Sequence, residues 1–243
     1  MTYCVALRLD RGLVFAADTR TNAGLDNIAT FRKMHIFEKK GDRVIAMCAA
    51  GNLAVTQSVI SLLRERAHDE TLGQPTIMTA STMFQVARVV GQAVRDVREI
   101  DGDALAANSE NFGVSFLLGG QIGTEAPRLF QIYSAGNFIE ATEDTPYFQI
   151  GEHKYGKPIL DRVTRADMSL GDAAKLVLIS FDSTLRSNLS VGMPIDLLLY
   201  NRDTLEVSRQ TRIEQDDEYF RQLSSGWSDA LRDAFSHLPP FDV

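Results

Sequence analysis

The stretch GLVFAADTRTNAG, residues 12–24, runs from a short apolar segment directly into charged residues. Residues Thr2 to Leu9 have a similar apolar and β-branched composition, and Asp10-Arg11-Gly12 separates the two segments. Glycine there permits the positive φ that a tight turn requires. The sequence therefore predicts a β-hairpin with strands at Thr2 to Leu9 and Gly12 to Ala17, and Asp18 follows the second strand.

The pattern of strands and helices continues through the chain. Met34 to Glu38 and Arg43 to Ala49 indicate a second hairpin around Lys39-Lys40-Gly41-Asp42. Apolar residues at helical spacing predict helices at 52–67 and at about 78–100. The remaining predictions are strands at 112–118, 128–134, 138–141, 146–150, 194–200 and 204–211, and helices at 156–164, 169–185 and 216–235. Gly119-Gly120 and Ala135-Gly136-Asn137 are predicted turns.

This order of elements indicates the fold class. Strands that arrive in hairpins form antiparallel sheets, and helices that arrive in pairs cover them. We expect an α+β fold, a four-layer αββα sandwich of two antiparallel sheets between helical layers. An α+β fold with a single sheet has the same list of elements and stays open. With no linker or repeat, residues 1–243 are expected to form one domain.

Composition excludes several classes of protein. The 243 residues are 44% hydrophobic and 23% charged, as in ordinary globular proteins. A net charge of −7 and the lack of long basic runs argue against nucleic acid as a partner. The chain has neither an apolar run long enough to span a membrane nor an export signal, so we expect a cytoplasmic protein. Cys4 and Cys48 lie in apolar stretches and are expected to be free and buried.

Thr2 is the first candidate catalytic residue. It follows Met1, and a residue this small normally permits removal of the initiator methionine, so we expect a chain that begins at threonine. The free amine would then lie beside the hydroxyl of the same residue. An α-amino group has a pKa of about 7.7–8, against about 10.4 for lysine, and is therefore a base near neutral pH. One residue would supply both nucleophile and base.

Three further residues complete the candidate site. Lys33, before the third strand, would lower the pKa of the amine, and Asp18 would hold the lysine. Gly51, between a strand and the following helix, would donate its N–H to the oxyanion. The alternative is that Asp18 and Arg20 are only a turn pair and that Lys33 is a solvated strand end.

Together, Thr2, AADTR at 16–20, Lys33 and AGNLA at 50–54 resemble the proteasome β-subunit superfamily of N-terminal nucleophile (Ntn) hydrolases. Among bacterial proteasome-type proteases, the sequence is most similar to the ancestral β-subunit (Anbu) family. The resemblance covers essentially the whole chain and implies the Ntn-hydrolase fold. The segment SVGMPIDLLLY, residues 190–200, resembles the proteasomal segment whose serine helps to hold the N-terminal amine, and so implies that role for Ser190.

Two departures from the proteasome pattern concern the surroundings of the amine. Ser187 stands where proteasome subunits have an aspartate, three positions before Ser190. Gly151-Glu152-His153 stands in place of a Gly-Ser-Gly stretch. We keep Glu152 and His153 as site candidates, and expect His153 to be a loop residue rather than a metal ligand because no second histidine lies at i+3 or i+4.

The resemblance implies a threonine peptidase that needs no metal ion or organic cofactor. Its substrates would be peptides or unfolded polypeptides, and its partners copies of itself, as dimers assembling into ring-like stacks, with an unidentified ATPase as a further partner. Apolar residues on the first two helices, including Ile77, Met78, Met83 and Phe84, are expected to support self-assembly or, alternatively, to complete the core of the monomer. Two other functions stay open: a non-catalytic ring subunit, and an amidase acting on a small non-peptide amide.

Overall fold

The computed structural model describes residues 1–22, 28–69, 71 and 73–242. Its strands are β1 (Tyr3–Leu9), β2 (Gly12–Asp18), β3 (Arg20–Asn22), β4 (Ile28–Thr30), β5 (Met34–Lys39), β6 (Arg43–Gly51), β7 (Val114–Ile122), β8 (Arg128–Ile132), β9 (Phe138–Glu140), β10 (Tyr147–Gly151), β11 (Ile195–Asn201) and β12 (Arg209–Ile213). Its helices are α1 (Leu53–Arg66), α2 (Met83–Ala107), α3 (Lys157–Val163), α4 (Leu170–Ser187) and α5 (Glu218–Ser236).

Two five-stranded antiparallel sheets and one small hairpin contain these strands. The first sheet has the order β10-β1-β2-β11-β12, the second has the order β5-β6-β7-β8-β9, and β3 pairs with β4. Three apolar clusters separate the layers. One lies between the sheets, one between the first sheet and α3, α4 and α5, and one between the second sheet and α1 and α2. The predicted four-layer αββα arrangement is confirmed.

The register of the two sheets brings four strand ends to one edge of the sandwich. Cys4 pairs with Ala17, so the start of β1 lies beside the end of β2. Met34 pairs with Cys48, so the start of β5 lies beside the end of β6. The inner faces of these strands share the apolar cluster between the sheets. Residues just outside the strand ends are thereby placed close together although they are distant in sequence.

The predicted turn at Gly119-Gly120 is wrong, because β7 runs through both glycines. A Cβ at Gly120 would lie 2.1 Å from the Val44 carbonyl oxygen of β6, and one at Gly119 would lie 2.8 Å from the Phe15 ring of the facing sheet. These glycines therefore allow close approach of neighbouring groups within a straight strand, which a rule about paired glycines does not detect.

The strand predicted at 204–211 occupies Arg209–Ile213 instead. Asp203 and Leu205 have φ values of 68° and 49°, and Thr204 Oγ1 donates to the carbonyl oxygens of Asn201 and Glu206. This turn interrupts the β-branched run. The short β3–β4 hairpin was not predicted from the sequence.

The second helix begins at Met83 rather than Met78 and continues to Ala107. The Thr76 hydroxyl bonds to the Ala67 carbonyl oxygen and to Thr79, which holds the preceding segment in turns, and Thr82 caps the helix through its contact with the Gln85 N–H. Ser169 caps α4, because its hydroxyl accepts the Asp172 N–H.

The apolar residues that suggested a self-assembly face belong partly to the core. Ile77 and Met83 are buried among the residues between α1, α2 and the second sheet, and Met78 packs against that cluster. Phe84 is exposed, as is Ile100 in the C-terminal third of α2. The core alternative thus holds for Ile77 and Met83, and the exposed apolar surface of α2 is smaller than expected. Cys4 and Cys48 are buried and free, as predicted.

Candidate active site

Thr2 lies immediately before β1 and is held through its backbone. Its carbonyl oxygen accepts the Glu152 N–H at 2.6 Å, and the next N–H, that of Tyr3, donates to Asp18 Oδ1 at 3.0 Å. Gly151 permits this approach, because it has a φ of 81° and a Cβ there would lie 1.9 Å from the Thr2 carbonyl oxygen. The nucleophile candidate is therefore fixed between β2 and the end of β10.

Lys33 and Asp18 form a buried ion pair. Lys33 Nζ lies 2.7 Å from Asp18 Oδ1 and 2.7 Å from the carbonyl oxygen of Arg20. Both side chains are almost fully buried, so Lys33 is not a solvated strand end. Since an ammonium has three N–H donors, one remains for another acceptor. Asp18 pairs with Lys33, and the Arg20 guanidinium instead donates to the Leu189 carbonyl oxygen, so the turn-pair alternative is wrong.

The loop after α4 supplies a further contact to Asp18. The Gly192 N–H donates to Asp18 Oδ2 at 3.3 Å, and the Thr19 hydroxyl donates to the Pro194 carbonyl oxygen at 2.7 Å. A Cβ at Gly192 would collide with the Arg20 guanidinium at 2.1–2.7 Å. This loop closes over the carboxylate and helps to bury it.

Burial has the largest effect on the pKa of the Asp18 carboxyl in the Lys33–Asp18 pair. Desolvation raises the pKa of the Asp18 carboxyl, while the Lys33 ammonium and the Tyr3 and Gly192 N–H groups act in the opposite direction. Desolvation and the Lys33 ammonium lower the pKa of the α-amino group of Met1, and the carboxylates of Asp18 and Glu152 oppose that shift. The N-terminus thus lies in the fields of one ammonium and two carboxylates.

Gly51 ends β6 with a φ of 115°, which favours glycine. A Cβ there would lie 2.1 Å from the carbonyl oxygen of Gly113. The Ala49 N–H donates to the Lys33 carbonyl oxygen on the β5 side, and the Asn52 N–H donates to Gly113 on the β7 side. Because N–H directions alternate along a strand, the Gly51 N–H is directed to the β5 side, where β5 has not yet begun.

A cavity of about 120 Å³ brings Thr2, Lys33 and Gly51 together. Met1, Thr2, Lys33 and Gly51 line one part of it. The other lining residues are Thr21, Arg32, His35, Ala49, Ala50, Leu53, Thr56 and Gln57. Sequence reasoning missed His35, whose pKa is lowered to about 4 by burial and by the neighbouring Arg64 guanidinium. The cavity joins the nucleophile, ammonium and oxyanion candidates, whose roles stay predictions.

The remaining candidates lie on the other side of Thr2. Ser190 donates its N–H to Asn188 Oδ1, and Asn188 Nδ2 donates to the Glu152 carboxylate, so Ser190 is connected to the Glu152 region. Ser187 is exposed at the end of α4, and His153 is exposed in a loop. Asn188 was not predicted, and its contacts join segments 36 positions apart that no local pattern relates. Within the described ranges, no cluster of three or more His, Cys, Asp or Glu could hold a metal ion.

The proteasome subunit family matches residues 2–198 of this sequence. An Anbu (Gly-1) mutant from Hyphomicrobium sp. strain MC1 is 63% identical over the full length of both chains, with a TM-score of 0.94. The chain belongs to the Anbu family of proteasome-type subunits.

Other relatives agree with this membership. Anbu from Yersinia bercovieri is 50% identical, with a TM-score of 0.93 over 100% of this chain and 99% of that one. A helical assembly of the Anbu complex from Pseudomonas aeruginosa contains a chain that is 47% identical, with a TM-score of 0.94 over 99% and 98% of the two chains. A proteasome subunit beta from Haloquadratum walsbyi is 24% identical over 217 residues, 88% of this chain and 79% of that protein.

In the described part of this Anbu-family chain, no helix is long and apolar enough to cross a membrane. The expected cytoplasmic location stays a prediction.

Proposed function

We propose that this chain is an N-terminal threonine hydrolase that cleaves peptide bonds through an acyl-enzyme on Thr2. The observation that carries the proposal is the buried Lys33–Asp18 pair opening into the cavity that Thr2 and Gly51 line. A buried lysine beside a hydroxyl nucleophile and a backbone N–H is the combination that amide hydrolysis needs. Peptidase activity is typical of the proteasome β-subunits to which the chain is related.

The first half of the reaction begins after Met1 has been removed. The Thr2 amine accepts the proton of Thr2 Oγ, and Oγ attacks the carbonyl carbon of the substrate. The resulting oxyanion accepts the Gly51 N–H. Collapse of the tetrahedral intermediate breaks the C–N bond, and the leaving amine takes the proton from the Thr2 ammonium. The acyl group is then an ester of Thr2.

The second half hydrolyses the ester. The free Thr2 amine accepts a proton from water, and the hydroxide oxygen forms a bond to the acyl carbon. Breakage of the ester bond returns the proton to Thr2 Oγ and releases the carboxylic acid. Asp18 and the Arg20 carbonyl oxygen hold the Lys33 side chain in place through hydrogen bonds. Its charge stabilises the developing Oγ anion.

A non-catalytic subunit is the second candidate function. Met1 lines the cavity, and its α-amino group lies in the same field of charges as the site. A chain that keeps Met1 has no free amine on Thr2 and therefore no base on that residue.

An amidase acting on a small non-peptide amide is a further candidate function. The cavity is small enough to suit a compact amide, and such an enzyme would use the same catalytic residues.

We further propose that the chain assembles with copies of itself, through dimers, into a ring-like or helical complex in the cytoplasm that admits peptides or unfolded polypeptides. The assembly of the Pseudomonas aeruginosa relative supports this, as does the exposed apolar surface of α2 at Phe84 and Ile100. An ATPase partner would supply unfolded chains.

The test compares the wild-type chain, Thr2→Ala and the matched control Thr30→Ala on a fluorogenic peptide, an unfolded protein and a small amide. Thr30 is an exposed threonine of β4 outside the cavity. We expect Thr2→Ala to abolish hydrolysis without a change in the unfolding transition, and Thr30→Ala to match the wild type. Full activity in Thr2→Ala, or in a chain that mass spectrometry shows to retain Met1, would refute the proposal.

A further inference from the structure

Glu152 is a buried carboxylate directly beside the nucleophile candidate. β10 ends at Gly151, which pairs with Tyr3 in the ladder with β1. The Glu152 N–H reaches one position further, to the Thr2 carbonyl oxygen at 2.6 Å. The residue is only 7% exposed. Glu152 and Thr2 are therefore opposite each other in an extension of the ladder.

The Glu152 carboxylate is held by uncharged donors. Oε1 accepts the Lys154 backbone N–H at 3.1 Å, and Oε2 accepts Asn188 Nδ2 at 2.9 Å. Among the described residues, no lysine or arginine side chain forms a salt bridge with Glu152, whereas Asp18 has Lys33. Burying a carboxylate without a cation costs free energy, which a positively charged partner offsets.

Asn188 fixes the direction of this carboxylate. Its Nδ2 donates to Glu152, and its Oδ1 accepts the Ser190 N–H at 2.9 Å. The same loop provides the Gly192 N–H to Asp18. One loop after α4 therefore holds both carboxylates that face the N-terminus.

The charge of Glu152 acts on the α-amino group at the start of the chain. Three charged groups act on the α-amino group at Met1, each from a different segment: Lys33 before β5, Asp18 at the end of β2, and Glu152 after β10. Removal of Met1 transfers this group to Thr2, the residue whose carbonyl oxygen already bonds to Glu152.

We propose that Glu152, clamped by Asn188, is a positioning residue that holds the Thr2 α-amino group as its counter-charge. It would take the place of the aspartate that proteasome subunits carry at the position of Ser187. The inference rests on the proposed function for the importance of the amine, whereas the backbone hydrogen bond between Glu152 and Thr2 is independent of any activity. Lys33 favours the neutral amine, and Glu152 and Asp18 favour the ammonium.

The test measures the titration of the Thr2 amine directly. A leader cut in vitro exposes Thr2 in the wild type, Glu152→Gln, Asn188→Ala and the control Asp182→Asn. Asp182 is a buried carboxylate on α4 that contacts Arg186. The rate of acetylation by acetic anhydride is followed against pH, and mass spectrometry quantifies the N-terminal tryptic peptide, residues 2–8. Unfolding curves show which variants are folded.

We expect the midpoint of amine titration to fall by about one pH unit in Glu152→Gln, because an attractive charge is removed. Asn188→Ala keeps the carboxylate but releases its clamp, so its midpoint falls by less, and Asp182→Asn keeps the wild-type midpoint. If Glu152→Gln does not fold, Asn188→Ala decides. An unchanged or raised midpoint in the folded variants overturns the inference.

Activity separates this inference from the proposed function. A lowered midpoint in Glu152→Gln, together with a wild-type chain that cleaves no amide, would support the role of Glu152 and contradict the hydrolase. An unchanged midpoint in Glu152→Gln, together with an active wild-type enzyme, would contradict the role of Glu152 and support the hydrolase. If both hold, the acid limb of the kcat profile moves to lower pH in Glu152→Gln, since the amine stays neutral there, and KM is unchanged.

Discussion

At the residue scale, Lys33 and Asp18 combine a structural and a chemical task. Their contact of 2.7 Å lies in the buried region between the two sheets, where each charge depends on the other. Removing one partner of such a pair costs about 3–5 kcal/mol, whereas replacing both with well-packed apolar residues of similar volume is often neutral. Loss of activity in a single variant therefore does not distinguish misfolding from loss of catalysis.

The double variant Lys33→Met/Asp18→Asn makes this distinction. We expect Lys33→Ala and Asp18→Asn to lose nearly all activity, and Lys33→Ala also to lose stability. The double variant should be more stable than Lys33→Ala, because it leaves no unpaired buried charge, but stay at least ~10²-fold below the wild type in kcat/KM, because the ammonium is absent. Denaturant unfolding and peptide hydrolysis measure the two quantities. Wild-type activity in the folded double variant would show that Lys33 has no part in the mechanism.

His35 predicts a pH dependence of stability. Burial and Arg64 lower its pKa to about 4 in the folded state, against about 6.5 in the unfolded chain. Between these values the unfolded chain binds more protons, so the free energy of unfolding falls as pH drops from about 6.5 towards 4. After a discount for partial exposure, the loss is on the order of 2 kcal/mol.

The His35→Gln variant, which cannot titrate, isolates this contribution. Urea unfolding at pH 7.5 and pH 5.0 should show a smaller loss of stability in the variant than in the wild type. Other groups titrate equally in both proteins, so the difference between the two slopes belongs to His35. Equal slopes would show that His35 does not resist protonation in the folded state.

At the element scale, the start of α4 sets the stability of the helix that leads into the Asn188–Gly192 loop. Ser169 Oγ accepts the Asp172 N–H at 3.0 Å and donates to Asp172 Oδ2 at 2.8 Å. Ser169→Ala should therefore lower the free energy of unfolding by about 1 kcal/mol. Ser187→Ala, at the exposed end of the same helix, is the matched control with little expected effect. Equal losses in the two variants would argue against the cap.

Individual elements also show which features could be predicted from the sequence and which could not. The prediction that Asp18 and Lys33 lie close together rested on antiparallel strands, which bring their ends to one edge. The two residues adjoin different sheets, so the packing of one sheet on the other is also needed. The packing of the strands against one another depends on contacts between distant segments. The continuation of β7 through Gly119, for example, involves Phe15 and Val44 in other strands. No local pattern carries that information.

The same limit explains the surroundings of Thr2. Glu152 was a candidate only because it departs from a family pattern, and its partner Asn188 was not considered. Their contact joins the end of β10 to the end of α4. Such a hydrogen bond is set by the docking of two distant segments and becomes visible only with the fold.

At the scale of the whole molecule, we expect self-assembly. Light scattering at micromolar concentration should give a mass several times the 26.9 kDa of one chain. The variant Phe84→Ser/Ile100→Ser removes exposed apolar area from α2 and should reduce that mass, because burial of such surface favours association. Val163→Ser, an exposed position on α3, is the control. A monodisperse monomer with full peptidase activity would contradict the proposed assembly.

The central claim is that the amine and hydroxyl of Thr2 act together as base and nucleophile. The most direct measurement is mass spectrometry of the N-terminal tryptic peptide after incubation with a peptide α′,β′-epoxyketone, which reacts with both atoms of a 1,2-amino alcohol. We expect a peptide of residues 2–8 that lacks Met1 and carries the inhibitor on both Thr2 N and Oγ. An unmodified peptide from fully active protein, or a modification on any other residue, would contradict it.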